Sequence, residues 1–186
     1  MKQLRKNIFE TNSSSTHSVT INGKDKYEWN ALSGYIDDED GKIHIELGEF
    51  GWGYDEYEDA YMKLSYLLTM ILELRKATFG HTGIKTLEEY YNLDEFILVE
   101  SIVVENTPGC KGIELKNADF NFNPYDDPEI DIKNETQGYL DHNGYIDHQS
   151  YEDYECLDDF LNSWDTSIED FIFNESVQLI IDNDNH

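Results

Sequence analysis

Basic residues are scarce in this chain. Lysine and arginine together number 13, against 40 aspartates and glutamates, for a formal net charge of −27. After Lys133 there is no lysine or arginine, although acids continue to Asp184, and between Asp37 and Asp59 the only base is Lys42. Binding to a phosphate backbone needs lysines and arginines that displace its counterions, so the composition excludes a direct nucleic-acid binder. Cysteine is almost absent. Cys110 and Cys156 form no CxxC pair and no disulfide framework, a pattern that suits a reducing cytosol. Long apolar runs are missing too. The richest, Ala60 to Phe79, is broken by Lys63, Glu73, Arg75 and Lys76, which fits a core helix and not a membrane span. The opening Met-Lys-Gln-Leu-Arg-Lys has no apolar stretch behind it, so no signal peptide is expected. There is no Walker loop, HExxH, EF-hand loop or Gly-x-Ser-x-Gly elbow. Neither a metal nor a cofactor is expected.

What is present is material for a folded core. Hydrophobic residues make up 39% and aromatics 13% of 186 residues, including 13 tyrosines. A disordered acidic tail would be poor in aromatics. The length predicts a single domain over 1–186. Residues 4–9 and 18–21 are expected as short strands, the second turning back at Asn22-Gly23. Lys42 to Leu47 alternates like a half-buried strand, and Gly51-Trp52-Gly53 marks a bent backbone. A strong helix is expected from about Glu58 to Thr78, stopped by Gly80, and a short one over Thr86 to Asn92 capped by Thr86. Phe96 to Val104 is rich in Ile and Val and predicts a buried strand, with another starting near Gly112 to Leu115. Within an Asn/Asp/Pro-rich stretch over 117–138, residues 119–138 are expected as a long surface loop. A hairpin around Asn143-Gly144, an acidic helix over Tyr151 to Trp164, and a closing hairpin of Phe171–Phe173 with Val177–Ile181 complete the reading. The expected class is α+β: a mixed, mostly antiparallel sheet around one central apolar helix, with an acidic C-terminal region.

Three constellations can carry chemistry. In the tract Thr11-Asn12-Ser13-Ser14-Ser15-Thr16-His17-Ser18, hydroxyls and amides crowd beside a histidine. Such groups can surround an anion, or simply satisfy a solvated loop. Glu49 and Trp52 can line a pocket, with Trp52 as a stacking platform or a core anchor. Asp141-His142 and Asp147-His148 invite a metal reading, but alternation along a hairpin would place the four side chains on opposite faces. Cys110, in a glycine-rich turn beside Lys111, is a candidate activated thiol.

Phe9 to Ser18, FETNSSSTHS, resembles the opening of a set of proteins from phages and prophages of Gram-positive bacteria. Ile146-Asp147-His148-Gln149-Ser150 and Phe171-Ile172-Phe173-Asn174 are similar to strings in that set. The resemblance implies a mobile element acting in a host cytoplasm. No activity comes with it.

Two functions follow as expectations. The first is an inhibitor that occupies the basic surface of a host nucleic-acid-binding defence enzyme, such as a CRISPR effector or restriction enzyme, as a nucleic-acid mimic. Its contacts are expected at Asp37, Asp38, Glu39 and Asp40, and at Asp153, Glu155, Asp158 and Asp159. The alternative is a small enzyme or ligand-binding protein holding a phosphorylated or nucleotide ligand at tract 11–18. Its residues would be Asn12, Ser13, Ser14, Ser15, Thr16 and His17, with Glu49, Trp52 and His148. A virion component is a third possibility, resting on the resemblance alone.

Overall fold

The computed structural model describes residues 15–22, 24–51, 53–79, 86–116, 121–124, 138–141, 144–147 and 154–183. Nine strands and five α-helices lie among them. In chain order they are β1 (Ser15–Ile21), β2 (Ile43–Glu46), β3 (Glu49–Phe50), β4 (Asp55–Tyr57), α1 (Ala60–Phe79), α2 (Leu87–Tyr91), α3 (Asp94–Asn106), β5 (Ile113–Lys116), β6 (Asn121–Pro124), β7 (Gly138–Asp141), β8 (Tyr145–Ile146), α4 (Leu157–Ser163), α5 (Ile168–Phe173) and β9 (Val177–Asn183). The largest sheet has the order β1-β9-β4, both pairings antiparallel. β6 and β7 also pair antiparallel, whereas β2–β5 and β3–β8 are parallel. The class is α+β, with antiparallel pairing predominant. No helix among the described residues is long and apolar enough to cross a membrane.

α1 is buried from Lys63 to Leu74. A helix apolar on most sides gains its stability from packing around its whole circumference. It packs against α3, α4, α5, β2 and β8. Three of the polar side chains it takes inside bond to backbone carbonyls. Ser65 Oγ donates to the Glu46 carbonyl at 2.7 Å, and Thr69 Oγ1 to the Ser65 carbonyl at 2.8 Å. Lys63 Nζ donates to the Asn174 and Val177 carbonyls, both at 3.1 Å. Burial pushes the Lys63 amine down to about 8. Tyr61, half-buried, ties α1 to β2 by donating to the His44 carbonyl and accepting from the Glu46 amide, both at 3.2 Å.

Several expectations hold. β2 alternates buried and more exposed residues, α1 spans the expected helix, and β5 begins one residue after Gly112. Gly51 has φ +138°, and a Cβ there would lie 2.8 Å from the Asp147 Cβ, so the bend needs glycine. Thr86 caps α2, its hydroxyl accepting from the Glu89 amide at 3.1 Å. Thr86→Ala is expected to cost about 1 kcal/mol. An unchanged urea midpoint would show that the cap contributes nothing.

Other expectations are corrected. Phe96 to Val104 is not a strand but the body of α3, whose first turn carries Asp94 and Glu95. Phe96, Val99 and Val103 are buried at helical spacing, while Ile97 and Leu98 stay 48% and 46% exposed. Packing overrode the β-propensity of the Ile/Val run. Phe171–Phe173 is the end of α5, begun by Ser167 Oγ accepting from the Asp170 amide at 3.0 Å, and not half of a hairpin. β1 does not turn back at Asn22: its partner is β9, and the Asn22 amide donates to the Ser176 carbonyl at 2.7 Å. Among the described residues β7 and β8 do not pair with each other: β7 pairs with β6 and β8 with β3. Gly144 lies where a Cβ would come within 2.6 Å of the Leu47 Cβ, so this glycine sits close against the core. The expected loop over 119–138 includes β6. The expected strand at 4–9 and the stop at Gly80 lie outside the described residues.

Candidate functional site

The Ser/Thr/His tract divides. Asn12, Ser13 and Ser14 lie outside the described residues, as do Trp52, His148 and Asp153. Ser15, Thr16 and His17 belong to strand β1, opposite Asn183, Asp182 and Ile181 of β9, and not to a loop. His17 points inward and is buried. Its Nδ1 lies 3.0 Å from the Tyr66 hydroxyl of α1, and its Nε2 has no hydrogen-bond partner among the described residues. Burial lowers its pKa to about 4, partly offset by the Asp147 carboxylate. His17 is therefore a neutral imidazole at neutral pH. Burial raises the Tyr66 phenol far above its usual range, so it stays a hydroxyl. Phe50 packs edge-on against Tyr66 with ring centres 5.0 Å apart, and its neighbour Glu49 is exposed. Alternation along β3 thus directs Glu49 away from His17. His17 and Ser18 of the tract thus belong to the core.

The acidic residues have the opposite fate. Among the described residues only one acid, Glu73, is buried. Asp37, Asp38 and Glu39 are exposed in an ordered turn, where the Glu39 amide donates to Asp37 Oδ1 at 2.7 Å and the Gly41 amide to the Asp37 carbonyl at 2.9 Å. Glu155 is exposed, and so are Asp158 and Asp159 in the first turn of α4, where the helix dipole favours negative charge. Tyrosine hydroxyls hold other carboxylates at the surface: Tyr27 donates to Asp170, Tyr54 to Glu56, and Tyr35 to Asp59 at 3.5 Å. A neutral donor fixes the carboxylate without cancelling its charge. Sequence reading missed the Tyr27–Asp170 pair, because its members come from distant parts of the chain.

Sequence reading also missed a group of possible metal ligands. Donor atoms of Asp40, His44 and Glu114 all lie within 4.8 Å of one another. His44 and Glu114 are register partners on the parallel strands β2 and β5. The backbone amide of Lys42, and then His44, hold the Asp40 carboxyl below its ordinary range. The Lys42 ammonium, however, already sits 2.9 Å from Glu114 Oε2, and Lys111 Nζ donates to the Asp40 carbonyl at 3.2 Å. With one lysine ammonium on Glu114 and another on the Asp40 carbonyl, two cations already stand beside these ligands, and the group does not favour a further one. Cys110 is not an activated thiol: it is buried, its Sγ faces the Gly112 carbonyl at 3.4 Å, and burial raises its pKa.

No protein-family model matches the chain, and neither a curated protein nor a solved structure is significantly similar to it.

Proposed function

We propose that this protein inhibits a nucleic-acid-binding enzyme by occupying its basic groove, presenting carboxylates where the enzyme expects phosphates. The observation that carries the reading is the placement of charge. Among the described residues every acid but Glu73 lies wholly or partly at the surface, and several are held there by tyrosine hydroxyls. Even with every lysine and arginine paired to a carboxylate, an excess of 27 negative charges remains. A rigid body with an apolar helix at its centre and an acidic C-terminal region can hold such charges at fixed spacing. Fixed charges steer encounter with a basic partner and penalise a wrong one. The resemblance to phage proteins makes a host defence enzyme, a restriction enzyme or CRISPR effector in the host cytoplasm, the natural target. Burial of His17 against Tyr66 weighs against the ligand-binding alternative at the tract.

Competition tests this. Added to a complex of labelled DNA with a basic defence nuclease at low salt, the protein is expected to displace the DNA and stop cleavage. The effect should shrink as salt is raised. Failure to displace DNA from any member of a panel of such nucleases, at large excess and low salt, would overturn the proposal.

A further inference from the structure

Residues 24–30 are all exposed, yet the segment is tightly held. The Glu28 amide donates to the Phe173 carbonyl at 3.0 Å, and the Glu175 amide to the Lys26 carbonyl at 2.8 Å. The buried Asn174 side chain accepts from the Lys26 amide at 3.1 Å and donates to Asp25 Oδ1 at 3.2 Å. Ser176 Oγ donates to the Lys24 carbonyl at 2.6 Å. Hydrogen bonds, not burial, fix this stretch of backbone.

What it displays is aromatic. The rings of Tyr27 and Trp29 stack with centres 4.7 Å apart and planes 10° from parallel, and Trp29 leans on the buried Phe173. Tyr27 and Trp29 nevertheless remain 38% and 41% exposed. A fixed, exposed apolar patch rimmed by polar groups marks an interaction site. The rim is net acidic: Asp25, Glu28, Glu169, Asp170 and Glu175 stand against Lys24 and Lys26, and Lys26 is paired with Glu175. Tyr27 donates to Asp170, and this bond, with the nearby Asp25 and Glu169 charges, helps push its phenol up to about 12. Asp170 and Asp25 accept from neutral donors, Tyr27 and Asn174, and neither donor brings a compensating positive charge.

We infer that the Tyr27–Trp29 stack with Asp25 and Asp170 is an anchor for an arginine side chain of a partner protein. Guanidinium is the flat cation that stacks on an aromatic face and forks to a carboxylate at once; a lysine ammonium does not stack. Phosphate-bearing partners are repelled by the same carboxylates. This deepens the proposed function, on which it rests, by naming the partner group and the place where it docks.

The test uses the whole protein with deca-arginine and deca-lysine peptides as probes. Deca-arginine is expected to bind more tightly and to shift the Trp29 indole resonance ahead of those of the other two tryptophans. Trp29→Leu keeps an apolar contact to Phe173 and is expected to weaken deca-arginine about tenfold while changing deca-lysine little. Equal affinity of the parent protein for the two peptides, or undiminished deca-arginine binding by the variant, would overturn the anchor. If the variant fails to fold, the parent's indole shifts decide: an unmoved Trp29 resonance overturns the inference. Salt-sensitive binding that depends on Asp158 and Asp159 but not on Trp29 sinks the anchor alone. No binding of either peptide at low salt sinks the mimic reading with it.

Discussion

Replacing Asp153, Glu155, Asp158 and Asp159 by Asn and Gln is expected to weaken binding to the basic target by orders of magnitude. Measured couplings between close charge pairs at such interfaces span roughly tenfold to many thousandfold in affinity. Glu155, Asp158 and Asp159 are exposed, so their loss should not disturb the core. The two aspartates also sit at the start of α4, and a small drop in melting temperature from the lost dipole interaction is expected. Association rate should fall steeply with salt in the parent and more gently in the variant. Ser14→Ala with Thr16→Ala is the comparison, expected to leave binding intact. His17 does not belong in that control, since its burial against Tyr66 makes any replacement a core change. An inhibitor that tolerates the acidic change but loses activity with the Ser14/Thr16 change is not a charge mimic.

His17 is expected to make the fold acid-sensitive. In the unfolded chain it takes up a proton as pH falls through about 6.5; in the folded chain it does so only near about 4. Between those values the unfolded state binds more protons, so stability rises with pH. The contribution is complete above about 6.5, declines as pH falls, and is gone below about 4. At one pKa unit per 1.36 kcal/mol, the window spans about 3 kcal/mol. Protonation of the many surface carboxylates relieves repulsion over the same range and acts the other way, so the measurement is a difference. His17→Asn keeps an acceptor near Tyr66 but cannot titrate. It is expected to be less stable than the parent at pH 7 and to close that gap by pH 4. A constant gap across the window, by urea unfolding, would show that the imidazole is not excluded from charging.

The elements that sequence reading captured depend on local signals: the alternation of β2, the apolar length of α1, the Thr86 cap and the Gly51 bend. The failures lie where a local signal was ambiguous or the decisive partner was remote. Ile102-Val103-Val104 suggests a strand, yet the buried residues Phe96, Val99 and Val103 already stand at helical spacing. Asn22-Gly23 and Asn143-Gly144 are good turn dipeptides, but pairing with β9 and β3 goes to strands far along the chain. For the site, composition disclosed the acidic character at once. The Tyr27–Trp29 patch stayed hidden because residues 24–30 show no apolar period, and the groups that pin them, Phe173 to Ser176, come from the other end of the chain.

That remote pairing has a consequence for how the molecule is made. β9 is the middle strand of its sheet, flanked by β1 and β4. During translation, which proceeds at about 5–20 residues per second, residues 15–21 and 55–57 emerge first and must wait for residues 177–183. Two strands with open edges stand apart until the last one slides between them. Non-local closure of this kind makes for slow folding and leaves an aggregation-prone interval. The carboxylates proposed to face a target also keep neighbouring nascent chains apart while folding is incomplete. On the proposed function, solubility on the ribosome and binding of the target draw on the same side chains.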